Sequence, residues 1–169
     1  MKKLIVSLAL VGFSLPLMAQ ESISLTSGSR LEVSSVDQVR LQEGQSKENV
    51  WFAVDPAQVS SSSEKQLSNC VMTAHLSLEQ GSLHFTSQSL RCPSLTGDVF
   101  TAEEIHANLT DSLSQLCTSS GTSCTEVTFS TSQVYTLELE EASQLIAAQN
   151  ASREANRARI EEQLQNQTE

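Results

Sequence analysis

Residues 67–93 read Leu-Ser-Asn-Cys-Val-Met-Thr-Ala-His-Leu-Ser-Leu-Glu-Gln-Gly-Ser-Leu-His-Phe-Thr-Ser-Gln-Ser-Leu-Arg-Cys-Pro. From Leu67 to Leu78 the side chains alternate, with Cys70, Met72, Ala74, Leu76 and Leu78 on one face and Ser68, Thr73, His75 and Ser77 mainly on the other. A period of two is the mark of a half-buried strand. Glu79-Gln80-Gly81-Ser82 is a turn, and Leu83 to Cys92 returns as a second strand until Pro93, which cannot donate to a ladder, closes the unit. A three-residue loop over Gln80 to Ser82, with Gly81 in the left-handed position, would bring Cys70 opposite Cys92. The hairpin would then be stapled at its open end.

Working outward, Ser22 to Leu25 and Arg30 to Leu41 also alternate, through Leu31, Val33, Val39 and Leu41, with Gly28 turning the chain between them. Both read as short strands. Asn49 to Val54 is the most apolar stretch after residue 19 and reads as a buried strand that Asp55-Pro56 ends. Ser60 to Lys65 follows as a solvated loop. Val99-Phe100 begins another short apolar element. From Thr101 to Cys117 the period changes: Ile105, Leu109, Leu113 and Leu116 recur every three to four residues, Thr101 can cap, and Glu103 and Glu104 suit a first turn, which predicts one amphipathic helix. Thr125 to Leu139 reads as one strand, bulged around Ser130 to Gln133. Residues 140–169 lack glycine and proline and are rich in alanine, glutamate, glutamine and arginine, which predicts a polar C-terminal helix or tail.

The first nineteen residues set the compartment. Lys2 and Lys3 precede an apolar run from Leu4 to Leu17, and Leu17-Met18-Ala19 ends it on a small residue. This is the pattern of a cleaved signal peptide, residues 1–19, too short for a membrane span of about 20 residues. No cysteine follows the cut, so no lipid anchor is expected and no transmembrane span remains in the mature chain. The expected location is the periplasm or the outer-membrane surface. Losing the two leader lysines leaves eight basic against twenty acidic residues, a net charge of −12. A chain so acidic is repelled by phosphate backbones, which argues against nucleic acid.

Aromatic residues are only 4% of the chain, so the core must be small and aliphatic. Cys70, Cys92, Cys117 and Cys124 are an even set in an exported chain and read as two disulfides. Three pairings are open. Cys70 with Cys92 and Cys117 with Cys124 each close a short local loop, contributing roughly 3 and about 2.5 kcal/mol in the chain-entropy model. Zinc is disfavoured, because no C-x-x-C or paired His/Cys spacing occurs. The fold class expected is mainly β, a sandwich or barrel-like sheet over residues 20–139, with one internal helix, two disulfide staples and a C-terminal α-helix.

Motifs for catalysis are absent from the sequence: there is no G-x-S-x-G elbow, P-loop, dinucleotide fingerprint or H-E-x-x-H. An enzyme is not expected, and neither a catalytic residue nor a metal or other cofactor is assigned. His75, His84 and His106 read as solvated or hydrogen-bonded histidines. Trp51 and Phe52 are the possible binding residues, since an exposed aromatic on a strand can anchor a protein or a sugar ring. Adjacent strand residues point to opposite faces, so one of the two belongs to the core, and the commoner outcome for such a pair is that the fold covers both.

Four stretches carry a resemblance. Val54-Asp55-Pro56-Ala57-Gln58-Val59, Lys65 to Met72 and Ser87-Gln88-Ser89-Leu90-Arg91-Cys92, with Leu25 to Leu31 opening on a Gly-Ser turn, resemble TraB-like scaffold proteins of conjugative type IV secretion. The likeness spans roughly Leu25 to Phe100. It implies a cut-down relative holding only the β-domain, an exported structural protein of a conjugation envelope whose partners are protein subunits. The alternative is a freestanding periplasmic or secreted module that binds a small molecule or glycan near Trp51.

Overall fold

The structure, a computed structural model, describes residues 21–60, 66–111, 113–120 and 123–148, with isolated positions beyond. The signal-peptide stretch and the loop at 61–65 lie outside the described residues, as does most of the chain after Ala148. The strands are β1 (Ser22–Leu25), β2 (Arg30–Ser35), β3 (Val39–Gln42), β4 (Ser46–Val54), β5 (Cys70–Glu79), β6 (Ser82–Pro93), β7 (Val99–Ala102), β8 (Ala107–Leu109), β9 (Cys117–Ser120), β10 (Ser123–Phe129), β11 (Val134–Leu139) and β12 (Ser143–Ala147). Two single helical turns, α1 (Pro56–Ser60) and α2 (Leu113–Leu116), complete the elements described between residues 21 and 148. Nine strands form one antiparallel sheet in the order β1-β12-β7-β6-β5-β4-β2-β11-β8, curled into a half-barrel, and β3-β10-β9 form a second.

The hairpin β5–β6 lies near the middle of the large sheet. Its turn differs from the expected one: Glu79 pairs with Ser82, so the loop has two residues, and Gln80 and Gly81 both take positive φ, 52° and 72°. That is the type I′ geometry whose twist matches its flanking strands. Cys70 still meets Cys92, because the extra residue is taken up as a bulge at Gln88: Ala74 pairs with Ser87 and Thr73 with Ser89. The bulge switches the inward set from Leu83 and Phe85 to Leu90 and Cys92. Cys117 is joined to Cys124, so both disulfides are local.

The meander β4-β5-β6-β7 is enclosed by one long ribbon. β1 pairs β12 and β2 pairs β11 in a single unbroken register, from Ser22↔Ile146 through Leu25↔Ser143 to Arg30↔Glu138 and Val134↔Ser34. The ribbon bends where Gly28, at φ 78°, donates its N–H to Leu139 C=O at 2.8 Å. Its outer half lies against β7 and its inner half against β4, so its halves occupy opposite sides of the meander.

Four expectations are corrected by this arrangement. The helix over Thr101 to Cys117 is replaced by β7, β8 and the short α2. Ile105, Ala107 and partly Leu109 face inward on alternate residues, and a spacing of four satisfies a period of two as well as a helical one. Arg30 to Leu41 is two strands belonging to different sheets, divided where Ser35 Oγ donates to Asp37 C=O. Thr125 to Leu139 is likewise divided, by a tight turn rather than a bulge, into β10 of the small sheet and β11 of the large one. The helix expected from residue 140 is a strand at Ser143–Ala147, because Leu145 is fully buried and β1 and β7 supply the ladder on both sides; the rest of that expectation falls mostly outside the described residues.

The core is aliphatic with an aromatic seam between the sheets. Phe52 of β4 packs on Phe129 of β10 with ring centroids 5.6 Å apart, and Phe129 packs edge-on against Tyr135 at 5.0 Å. Tyr135 is buried, yet its hydroxyl is satisfied: it accepts from Ser130 N–H at 2.6 Å and donates to Ser130 C=O at 3.5 Å. Burial raises its pKa above 10.0, opposed by the Ser130 backbone bond and aided by the nearby Asp111 charge. An acid whose folded pKa is raised gives stability that is complete below the unfolded value and is lost as pH rises beyond it. Stability should therefore decline above about pH 10. This is the chain's single tyrosine, so tyrosinate absorbance reports it alone, and a titration indistinguishable from free tyrosine would refute the expectation.

Candidate functional site

Two surface features stand out, one on the convex face of the large sheet and one in its open seam. On β4 the alternation sends Phe52 inward, fully buried, and Trp51 outward, 54% exposed. Phe52 is thereby corrected from a possible binding residue to a core residue. Val36 donates its N–H to Trp51 C=O at 2.9 Å and is itself exposed, as is Val134. Strand register aligns Val134, Ser34, Ala53 and Val71 in the neighbouring outward row. Cross-strand neighbours in such a row lie about 5 Å apart, so these side chains form a shallow apolar patch beside the indole.

The seam follows from the pairing. β7 covers β6 only from Leu90 to Pro93, leaving Ser82–Ser89 with β5 on one side and, among the described residues, no strand on the other. β8, the last strand of the sheet, pairs β11 alone among the described residues and lies across from that uncovered length. One buried side chain pins the two together: Ser87 Oγ donates to Ile105 C=O and accepts from Ala107 N–H at 3.0 Å. Ser87→Ala should cost about 1–3 kcal/mol, because it orphans a buried carbonyl and a buried amide together. Denaturant unfolding with faster exchange of the Ala107 amide would show it; an unchanged midpoint would refute it.

Between Ser87 and the hairpin tip the seam holds a cleft of about 350 Å³, lined by Leu83 and Phe85 from β6 and by Asn108, Leu109 and Asp111 from the β8 side. Its apolar wall reaches the core, since Phe85 lies 5.5 Å from Phe52. The rim is polar. Asp111 Oδ2 accepts Thr136 N–H at 2.5 Å, and Asn108 Nδ2 donates to Glu140 Oε1 at 2.6 Å. No basic side chain is among the described residues that line it.

The cysteines serve the frame rather than a site. Cys70–Cys92 is buried at the far end of the hairpin, and Cys117–Cys124 lies beside its tip, where the position of a Cβ on Gly81 would be 3.3 Å from Cys124 N. The histidines do not converge: His75 and His84 occupy adjacent outward rows of β5 and β6, His106 precedes β8, and no group of metal-binding side chains occurs among the described residues. The cleft residues were not singled out in the sequence. Their signal was present in the switch of inward phase across Gln88, from Leu83 and Phe85 to Leu90 and Cys92, which marks a bulge and therefore the place where strand cover changes.

Comparison with protein-family models, with curated proteins and with solved structures finds no match.

Proposed function

We propose that the chain is an exported structural protein that binds neighbouring protein subunits of an envelope assembly through its sheet edges. The carrying observation is the uncovered length of β6 facing the terminal strand β8 across a cleft with an apolar wall and a polar rim. Unpaired strand edges present backbone N–H and C=O groups, and a partner strand satisfies them in register. Two local disulfides accord with an oxidising compartment. Among the described residues no helix is long and apolar enough to cross a membrane. No catalytic group enters this reading. The narrower assignment, to the envelope part of a conjugative type IV secretion machine, draws on the resemblance across Leu25 to Phe100.

A second reading has one observation in its favour: a cleft of about 350 Å³ falls within the size range of small-ligand sites, so a freestanding periplasmic or secreted ligand-binding module is the alternative. Crosslinking intact cells that express the full chain, followed by mass spectrometry, separates the two. Conjugation or secretion subunits attached to the chain support the scaffold. A chain recovered alone sinks it and leaves the ligand module.

A further inference from the structure

The uncovered edge of β6 is a definite pattern of backbone groups. Glu79 and Ser82 flank the type I′ turn and form its hydrogen-bonded pair, so Ser82, His84 and Thr86 direct their backbone groups toward β5. Leu83 and Phe85, one step out of phase, direct theirs toward the seam. These are the same residues whose side chains wall the cleft. An occupant that suits the place must therefore offer alternating backbone donors and acceptors together with an apolar group. An extended polypeptide has both, and a compact small molecule lacks the first.

Charge narrows the occupant further. Among the described residues the cleft lining holds Asp111 and no cation, and Glu140 stands on the rim against Asn108. Arg30, which approaches from the far side of β11, is held by Glu138 at 3.3 Å. With the leader removed the chain carries a net charge of −12. An acidic segment would be repelled on approach and a basic one drawn in.

We propose that the seam receives an extended basic segment of a partner protein, which pairs as a strand with the free edge of β6 at Leu83 and Phe85, sets an apolar side chain between Leu83, Phe85 and Leu109, and places a Lys or Arg beside Asp111. This rests on the edge-binding reading above and names its site and its partner chemistry. Ser87 closes one end of the seam, so the segment enters from the hairpin tip and extends no further than the bulge.

The test places a photo-crosslinking residue singly at Leu83, at the exposed Asn108, and at Trp51 as a control, in the full-length protein inside the cells that make it. The expected result is that Leu83 and Asn108 capture one short stretch of another protein, alternating in apolar residues and containing Lys or Arg, while Trp51 does not. A synthetic peptide of that captured stretch should slow exchange of the Leu83 and Phe85 amides in the purified protein. Asp111→Asn keeps an acceptor for Thr136 N–H and removes only the charge, and should weaken the peptide at least fivefold. Capture of a second copy, of this chain's own C-terminal tail, or of an acidic stretch overturns the proposal. Capture at Trp51 alone overturns it while leaving a protein-binding role intact, and no captured protein at any position overturns both.

Discussion

Phe52→Ala should lower the free energy of unfolding by about 3–5 kcal/mol, the usual cost of emptying a buried aromatic site. The ring is fully buried and is the contact through which β4 of the large sheet meets Phe129 of the small one, while its other side supports Phe85 behind the cleft. Alanine would leave a void between two sheets that cannot close on it without separating Phe129 from Tyr135. Total stability of a domain is about 5–15 kcal/mol, so this single change could leave a marginal fold. Phe52→Leu should recover much of the loss. Urea unfolding decides the matter, and a loss below about 1 kcal/mol would mean that the inter-sheet contact relaxes rather than empties.

Removing Cys70–Cys92 by a double alanine substitution should cost roughly 3 kcal/mol, and removing Cys117–Cys124 about 2.5 kcal/mol, since a bridge across a separation of 22 residues restricts the unfolded chain more than one across 7. The two should also differ in kind. Cys70 and Cys92 are both buried beneath the sheet, so reductant should reach them only when the hairpin opens, whereas the half-exposed Cys117 should let the second bridge be reduced in the folded protein. Mass labelling of free thiols under native conditions distinguishes them. Simultaneous labelling of all four cysteines would show that the hairpin opens as readily as the loop.

The strands of this protein were largely legible from alternation, because one face of each is buried and polar residues interrupt the other. What alternation conceals is where a strand leaves its sheet. Arg30 to Leu41 keeps one inward parity across the break at Ser35, and Thr125 to Leu139 does so across Ser130 to Gln133, so each pair of strands looks continuous although its members serve different sheets. The helix read over Thr101 to Cys117 failed for the opposite reason, since Ala107 is too small to register as apolar beside Ile105 and the remaining leucines matched a helix by spacing alone. α1 was missed although Asp55 caps it, accepting Ala57 N–H at 3.0 Å, and Pro56 opens it. The tail was read from propensity, and at Ser143–Ala147 propensity yields to two neighbouring strands. Of the candidate site, the in–out alternation of Trp51 and Phe52 was legible, but not that the fold leaves Trp51 exposed. The cleft was not, because it is formed by residues that no local pattern joins.

The bent ribbon has a bearing on the order in which the chain can fold. β1 and β2 come first along the sequence, yet their ladder partners are β12 and β11, a hundred or more residues later. A chain passing N-terminus first through a narrow pore would thus emerge with its opening strands unpartnered. The meander could form on the way, but its flank against β7 stays bare until the last strand arrives. Closure of so non-local a sheet is slow by nature, since the loop entropy is spent before the contacts repay it. In a chain delivered in that way, such a delay would keep the polypeptide threadable until its far end is through, and would make assembly of the sheet the final step.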